Sequence, residues 1–183
     1  MLEVRRHARR ERPGQHLIQR GVEMARTLGS ELGPFDLVVS SPLARCVETA
    51  VAMGFAVDDE CPALTGADGR GESVPGIADD DWDAGYAGFA RRLAQSAELA
   101  AFAAEQLSAW RAIARRLPDG GRALIVGHGG AIEAAAVAAF PDADHVTWGR
   151  TVRHCEGVLV GLDGDRFVSI EILRVPKALR KRK

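Results

Sequence analysis

Aromatic residues are scarce in this chain, at 5% of 183 positions, with a single tyrosine. So little ring surface argues against an aromatic-rich binding platform and for helices packed closely on a sheet, as the abundant alanine also suggests. Cysteine is scarce too. Cys46, Cys61 and Cys155 are odd in number, far apart and free of any CxxC pair. That pattern speaks against a disulfide framework or a zinc knuckle and for a reducing compartment, so a cytoplasmic protein is expected. Charge of one sign is lacking as well: the formal net charge is -1. Without a global basic field, wholesale nucleic-acid binding is not expected. No apolar run approaches the roughly 18 residues of a membrane span, and the N-terminus lacks the apolar segment of a signal peptide. No membrane association is expected.

What is present suits one ordinary domain over residues 1–183. Hydrophobic residues make up 46% and charged residues 27%, enough for a real core beneath a soluble surface. Charge concentrates in two places: Arg5, Arg6, Arg9, Arg10 and Arg12 at the start, and Arg174, Lys177, Arg180, Lys181, Arg182 and Lys183 at the tail. The tail reads as a solvated end.

The pattern of elements is alternating. Leu2 to Arg6 reads as a strand, followed by a polar loop with Pro13-Gly14 as a turn. Apolar spacing predicts a helix over Leu17 to Leu32, stopped by Gly33-Pro34. Asp36 to Ser40 reads as a buried strand. A helix to about Met53 should follow, with Ser41 as N-cap and Pro42 at its first position. Phe55 to Val57 reads as a brief strand. Residues 58–85 show no clear element, and 58–97 reads as a substrate-side insertion or lid. Phe89 to Leu117 is helical, in one or two pieces. Ala123 to Val126 is a strand, Ala131 to Phe140 a helix, and Gly157 to Leu162 with Arg166 to Leu173 a hairpin about Asp163-Gly164-Asp165. The order predicts an α/β three-layer sandwich, a mostly parallel central sheet flanked by helices.

Three segments share one layout, a strand end followed by polar residues: Arg6-His7, Ser40 to Arg45, and Gly127-His128-Gly129-Gly130. Ligands bind beyond the carboxyl ends of strands in such sheets, so the three should converge on one crevice. There, arginine forks suit a phosphate, and the helix N-termini after Ser41 and Gly129 add N–H donors. A histidine fixed through one ring nitrogen can be nucleophilic through the other. Attack on phosphorus would give a phosphohistidine that water opens, with arginines supplying the positive charge and no metal or cofactor required.

These residues also carry a resemblance. Arg6-His7-Ala8 looks like the Arg-His-Gly signature of the histidine phosphatase superfamily, which includes phosphoglycerate mutases. Leu17 to Gly21 resembles the Leu-Thr-x-x-Gly segment of that family. Ser40 to Ala50 is similar to its Ser-Ser-Pro-Leu-x-Arg-x-x-x-Thr-Ala block, and Gly127 to Gly130 to its Ser/Gly-His-Gly-Gly block. The resemblance covers most of the chain and implies a phosphoglycerate mutase-like fold. It implies His7 as the phosphorylated nucleophile and contact of Arg6, Arg45 and His128 with the phosphoryl group.

The chain departs from the pattern at three points. Ala8 replaces a glycine, Arg9-Arg10 stands where many members have Glu-Thr, and the usual acidic glutamate is missing. Asp68 is the leading candidate for the general acid, with Glu72 as the alternative. Glu133 is a candidate to line the pocket, and Trp82 and Tyr86 to cover it or to pack in the core. Asp79, Asp80 and Asp81 read as a helix start, not a metal site. His16, His145 and His154 read as structural or exposed.

The expected activity is hydrolysis of a phosphate monoester, on a small molecule or on a protein. A phosphoglycerate-type mutase and a non-catalytic phospholigand-binding module are the alternatives. Neither substrate identity nor oligomeric state is legible.

Overall fold

The computed structural model describes residues 1–71 and 73–180. Six strands form one sheet: β1 (Leu2–Arg6), β2 (Leu37–Ser40), β3 (Asp59–Glu60), β4 (Ala123–Gly127), β5 (Gly157–Asp163) and β6 (Arg166–Leu173), in the order β3-β2-β4-β1-β5-β6. The pairs β2–β3, β2–β4 and β1–β4 are parallel, whereas β5 adds antiparallel to β1 and β6 antiparallel to β5.

Strand side chains alternate between faces, and this alternation builds two cores. Leu2, Val4, Leu37, Val39, Ala123 and Ile125 enter one, packed by α4 (Tyr86–Leu93), α5 (Ala97–Ala114) and α6 (Ala131–Ala139). Val38, Leu124 and Val126 enter the other, packed by α1 (Gln19–Gly29) and α2 (Ala44–Ala52). A sheet covered on both faces needs near-continuous apolar strands, and Ala123-Leu124-Ile125-Val126 is one. β1 breaks that rule at Glu3 and Arg5, which are buried on the second face. Arg5 Nε lies 2.6 Å from Glu3 Oε1, and its Nη1 donates to the Cys155 carbonyl at 2.8 Å. Pairing and hydrogen bonding offset the cost of burying both charges.

The structure corrects several expected boundaries. α2 begins at Ala44 with Leu43 as N-cap, not at Pro42. Ser41 instead turns its hydroxyl to His128, 3.0 Å from Nε2. The brief strand lies at Asp59–Glu60 rather than at Phe55 to Val57, whose apolar side chains pack on the second core. Residues 58–85 do contain elements: β3, a 3-10 turn at Pro62–Thr65 and α3 (Asp79–Asp83). The long helical stretch is two helices, separated where Ser96 caps α5 by accepting the Leu99 N–H at 3.2 Å. Two short helices, α7 (His145–Trp148) and α8 (Lys177–Arg180), complete the elements of the described residues. Arg174 is no part of a solvated end: its Nη2 donates to the Trp148 and Arg150 carbonyls at 2.7 and 2.6 Å. Glu72 and Lys181, Arg182 and Lys183 lie outside the described residues.

Candidate active site

Register brings the three polar junctions together. Arg6 pairs across from Gly127 and Ser40 across from Val126, so β1, β2 and β4 end at one level of the sheet. Above them opens a cavity of about 1050 Å³. Arg6, His7, Arg45 and Gly129 line it, with Gly71, Trp82, His154 and the turn from Arg9 to Pro13.

His7 is the first residue beyond β1 and is buried. Its Nδ1 lies 2.7 Å from the Ala8 carbonyl oxygen. A carbonyl can only accept, so Nδ1 carries the proton and Nε2 keeps the lone pair. Burial pulls this imidazole from its ordinary 6.5 to about 2. The Ala8 carbonyl opposes that pull, while His128, Arg6 and Arg45 reinforce it. The ring is therefore neutral at physiological pH, the state a nucleophile requires. Thr49 holds this arrangement in place: its Oγ1 accepts the Ala8 N–H at 2.8 Å and donates to the Arg45 carbonyl at 2.6 Å.

Arg6 is placed by the opposite wall. Its Nη1 donates to the Val152 carbonyl at 2.9 Å, and its buried Nε has no acceptor among the described residues. Glu133 is fully buried beneath it and accepts the N–H groups of Gly130 at 2.6 Å and Val152 at 2.7 Å. It thus scaffolds the wall rather than lining the cavity. Burial works against the Arg6 charge, and Glu133 offsets it. A Cβ at Gly129 would stand 2.9 Å from the Arg6 guanidinium carbon, so a side chain there would displace that guanidinium.

Arg45, at the start of α2, donates to the Gln15 side chain and to the Arg70 carbonyl. His128 sits beside it, Nδ1 3.4 Å from Arg45 Nη2. Since the guanidinium can only donate, His128 carries its proton on Nε2 and gives it to Ser41 Oγ. Burial, then Arg45 and Arg6, lower its pKa to about 3. The His7 and His128 ring centroids are 5.4 Å apart. The backbone of Gly71 lies over His128, since a Cβ there would stand 2.5 Å from Nδ1. His128 is consequently one layer behind the cavity wall. Cys46 Sγ lies 3.5 Å from His128 Nε2, but burial pushes that thiol to about 12, so it offers no second nucleophile.

Asp68 does not reach the cavity wall. Its carboxylate accepts the N–H groups of Arg70, Gly71 and Ser73 at 2.9, 2.8 and 3.0 Å. It organises the turn that seats Gly71 on His128. Glu11 is the carboxylate that lines the cavity among the described residues.

His154, expected to be structural or exposed, stands on the cavity wall with its ring centroid 5.6 Å from that of His7. No local signal marks it, because a connection of some fifteen residues separates α6 from the turn that delivers it. Gln15 had no signal either. Trp82 lines the cavity, whereas Tyr86 is core and meets Trp148 edge-on. Asp81 ends α3's first turn as a buried partner of Arg91 and Arg92, at 2.7 and 2.8 Å. His16 is exposed against Glu48, and His145 bonds the Phe140 carbonyl at 3.0 Å. Among the described residues no cluster of three or more His, Cys, Asp or Glu could hold a metal ion, and no helix is long and apolar enough to cross a membrane.

Known proteins resemble this chain in sequence pattern and in fold. The family model of the histidine phosphatase superfamily (branch 1) matches residues 4–172. Comparison with curated proteins returns no match. Among solved structures, phosphoserine phosphatase from Entamoeba histolytica, in complex with 3-phosphoglyceric acid, is similar at a TM-score of 0.67 and 15% identity, over 97% of this chain and 98% of that one. Phosphoglycerate mutase from Bacillus anthracis gives 0.65 at 19% identity, over 94% and 91%. A mycobacterial glucosyl-3-phosphoglycerate phosphatase, in complex with VO3, gives 0.65 at 19% identity, over 93% and 96%. At such identities the likeness is one of fold.

Proposed function

Because the chain belongs to branch 1 of the histidine phosphatase superfamily, we propose that it hydrolyses a phosphate monoester through a phosphohistidine on His7, without a metal ion. The observation that carries this reading is the tautomer of His7. A neutral ring whose Nδ1–H is held by the Ala8 carbonyl presents the Nε2 lone pair beside two guanidiniums. Nε2 attacks phosphorus, the P–O ester bond breaks, and the leaving oxygen takes a proton. Water then attacks the phosphohistidine, releasing inorganic phosphate and restoring Nε2. Arg6 and Arg45 bear the charge that develops on the equatorial oxygens in both steps.

His128 joins them when the Arg70 carbonyl and Gly71 give way to the phosphoryl group. That makes the 58–97 segment a substrate-side cover, and Arg70 the residue whose carbonyl the phosphate replaces on Arg45. Glu11 is the first donor to test for the leaving oxygen, given its place on the wall and the commitment of Asp68 to backbone N–H groups. We place the activity in the cytoplasm, where the free thiols of Cys46, Cys61 and Cys155 would persist. The substrate is a phosphorylated small molecule, or a phosphoprotein.

Rapid quenching with a chromogenic phosphate ester should trap acid-labile, base-stable phosphate on His7, and His7→Ala should lose turnover by at least about 10³-fold. Full turnover by that variant would overturn the nucleophile. Phosphate transfer between positions of a three-carbon acid, with little free phosphate, would point to a mutase. Vanadate binding with every ester left intact would point to a binding module.

A further inference from the structure

The cavity carries more positive charge than one phosphoryl group requires. Arg6, Arg9, Arg10, Arg12 and Arg45 all line it, against the single carboxylate of Glu11 among the described residues. Arg6 and Arg45 are accounted for at the phosphoryl site. The other three arise from one short turn where the chain leaves β1.

That turn has a defined shape. Arg10 bridges to Leu17, the Arg9 carbonyl accepts the Ile18 N–H at 3.2 Å, and Glu11 N–H reaches the His16 carbonyl at 2.9 Å. Arg10 Nη1 is committed to the Gly14 carbonyl at 2.5 Å, so it contributes field and turn shape. Gly21 lets α1 pack directly on the Arg9 backbone, where any Cβ would clash. Arg9 and Arg12 are exposed at this turn and are among the residues that line the cavity.

Their charges act at one place. Burial first, and then Arg6, Arg9, Arg12 and Arg10, hold the His154 imidazole down at about 4. Arg12 also bears on Arg6. Like charges crowded on one wall raise the local potential and select for anions. Guanidinium forks in particular fit phosphate and carboxylate oxygens.

We propose that Arg9 and Arg12, together with His154, form a second anion subsite in this cavity, and that the substrate is a phosphate ester bearing a second anionic group, phosphate or carboxylate. The proposal rests on the hydrolase reading of the same site and adds the substrate class to it. The phosphoryl group to be transferred sits on Arg6, Arg45 and His7, and the second anion reaches the turn.

Three esters with one three-carbon chain test it: propyl phosphate, 3-phosphooxypropanoate and propane-1,3-diyl bisphosphate. For the wild type, kcat/KM for one or both of the last two should exceed that for propyl phosphate by at least about 10-fold at low ionic strength. Whichever of the two leads identifies the second anion. The double variant Arg9→Ala/Arg12→Ala should cut that ratio below about 3-fold, and Arg12→Glu should lower it further, wherever the absolute rates fall. Arg166→Ala removes an exposed charge on β6 and should leave the ratio intact. Calorimetric titration of the non-cleaving His7→Asn protein with the same three compounds should give the same order of Kd. Equal binding of all three compounds, or a ratio untouched in the double variant, overturns the subsite whatever the turnover. If the order of binding holds but no ester is cleaved by the wild type, the subsite stands and the hydrolase reading falls.

Discussion

Thr49 shows how much of this site depends on one hydroxyl. It joins the residue whose carbonyl orients His7 to the helix that carries Arg45. Thr49→Val keeps the shape and removes both hydrogen bonds, leaving the buried Ala8 N–H without its acceptor. The expected cost is about 1–3 kcal/mol of stability, read from urea unfolding. A drop in kcat of about 10-fold should accompany it, because the Ala8 peptide whose carbonyl orients His7 loses its tether. Thr49→Ser should restore both quantities. A valine variant with full stability and rate would show that the Ala8 peptide holds its place unaided. Ala8 itself, unusual beside the nucleophile, is fully buried with its methyl in the second core, so the packing there accommodates a side chain.

Between elements, close approach decides the site. The turn after β4 lies flat against the Arg6 guanidinium because residue 129 has no side chain. Gly129→Ala adds one methyl at 2.9 Å from the guanidinium carbon, and the flexible Arg6 must yield. Binding of phosphate or vanadate, followed by calorimetry, should weaken by about 10-fold, roughly 1.4 kcal/mol. The melting temperature should move by only a few degrees. Unchanged affinity would mean that Arg6 does not contact the anion. The same scale explains which boundaries were legible. Ala123–Gly127 is a central strand whose unbroken apolar run reflects burial on both faces, and Leu2–Arg6 was legible from Leu2 and Val4 on one face although Glu3 and Arg5 are buried on the other. The start of α2 was not legible, because the hydroxyl expected to cap the helix serves His128 instead. β3 has no pattern of its own and exists only as a partner for β2.

Over the whole molecule, three imidazoles are folded into a cationic pocket and kept neutral. His154, His128 and His7 titrate near 6.5 when unfolded but only at about 4, 3 and 2 when folded. As pH falls below about 6.5, the unfolded chain therefore binds protons that the folded chain refuses, and stability declines. Each ring contributes a slope of up to about 1.4 kcal/mol per pH unit until its folded pKa is reached. Urea unfolding at pH 7 and pH 5 should show this loss, and His154→Gln should reduce it. A protein equally stable at both values would mean that these rings are not held neutral. Bound phosphate should narrow the difference, since an anion among the arginines favours the protonated rings.

Composition, periodicity and strand-end position determined much by themselves. The two-faced sheet, the order of its helices and the meeting of Arg6, His7, Arg45 and His128 all follow from short-range pattern plus the rule that strand ends face one crevice. Tertiary structure alone decided the rest. His154 reaches the cavity from a distant turn, Gln15 accepts from Arg45, Asp68 takes three N–H groups of its own loop, and Gly71 screens His128. Such relations depend on which backbone lies against which side chain. Local pattern reports burial and turn chemistry, whereas contact between remote loops is set only when both faces of the sheet are packed.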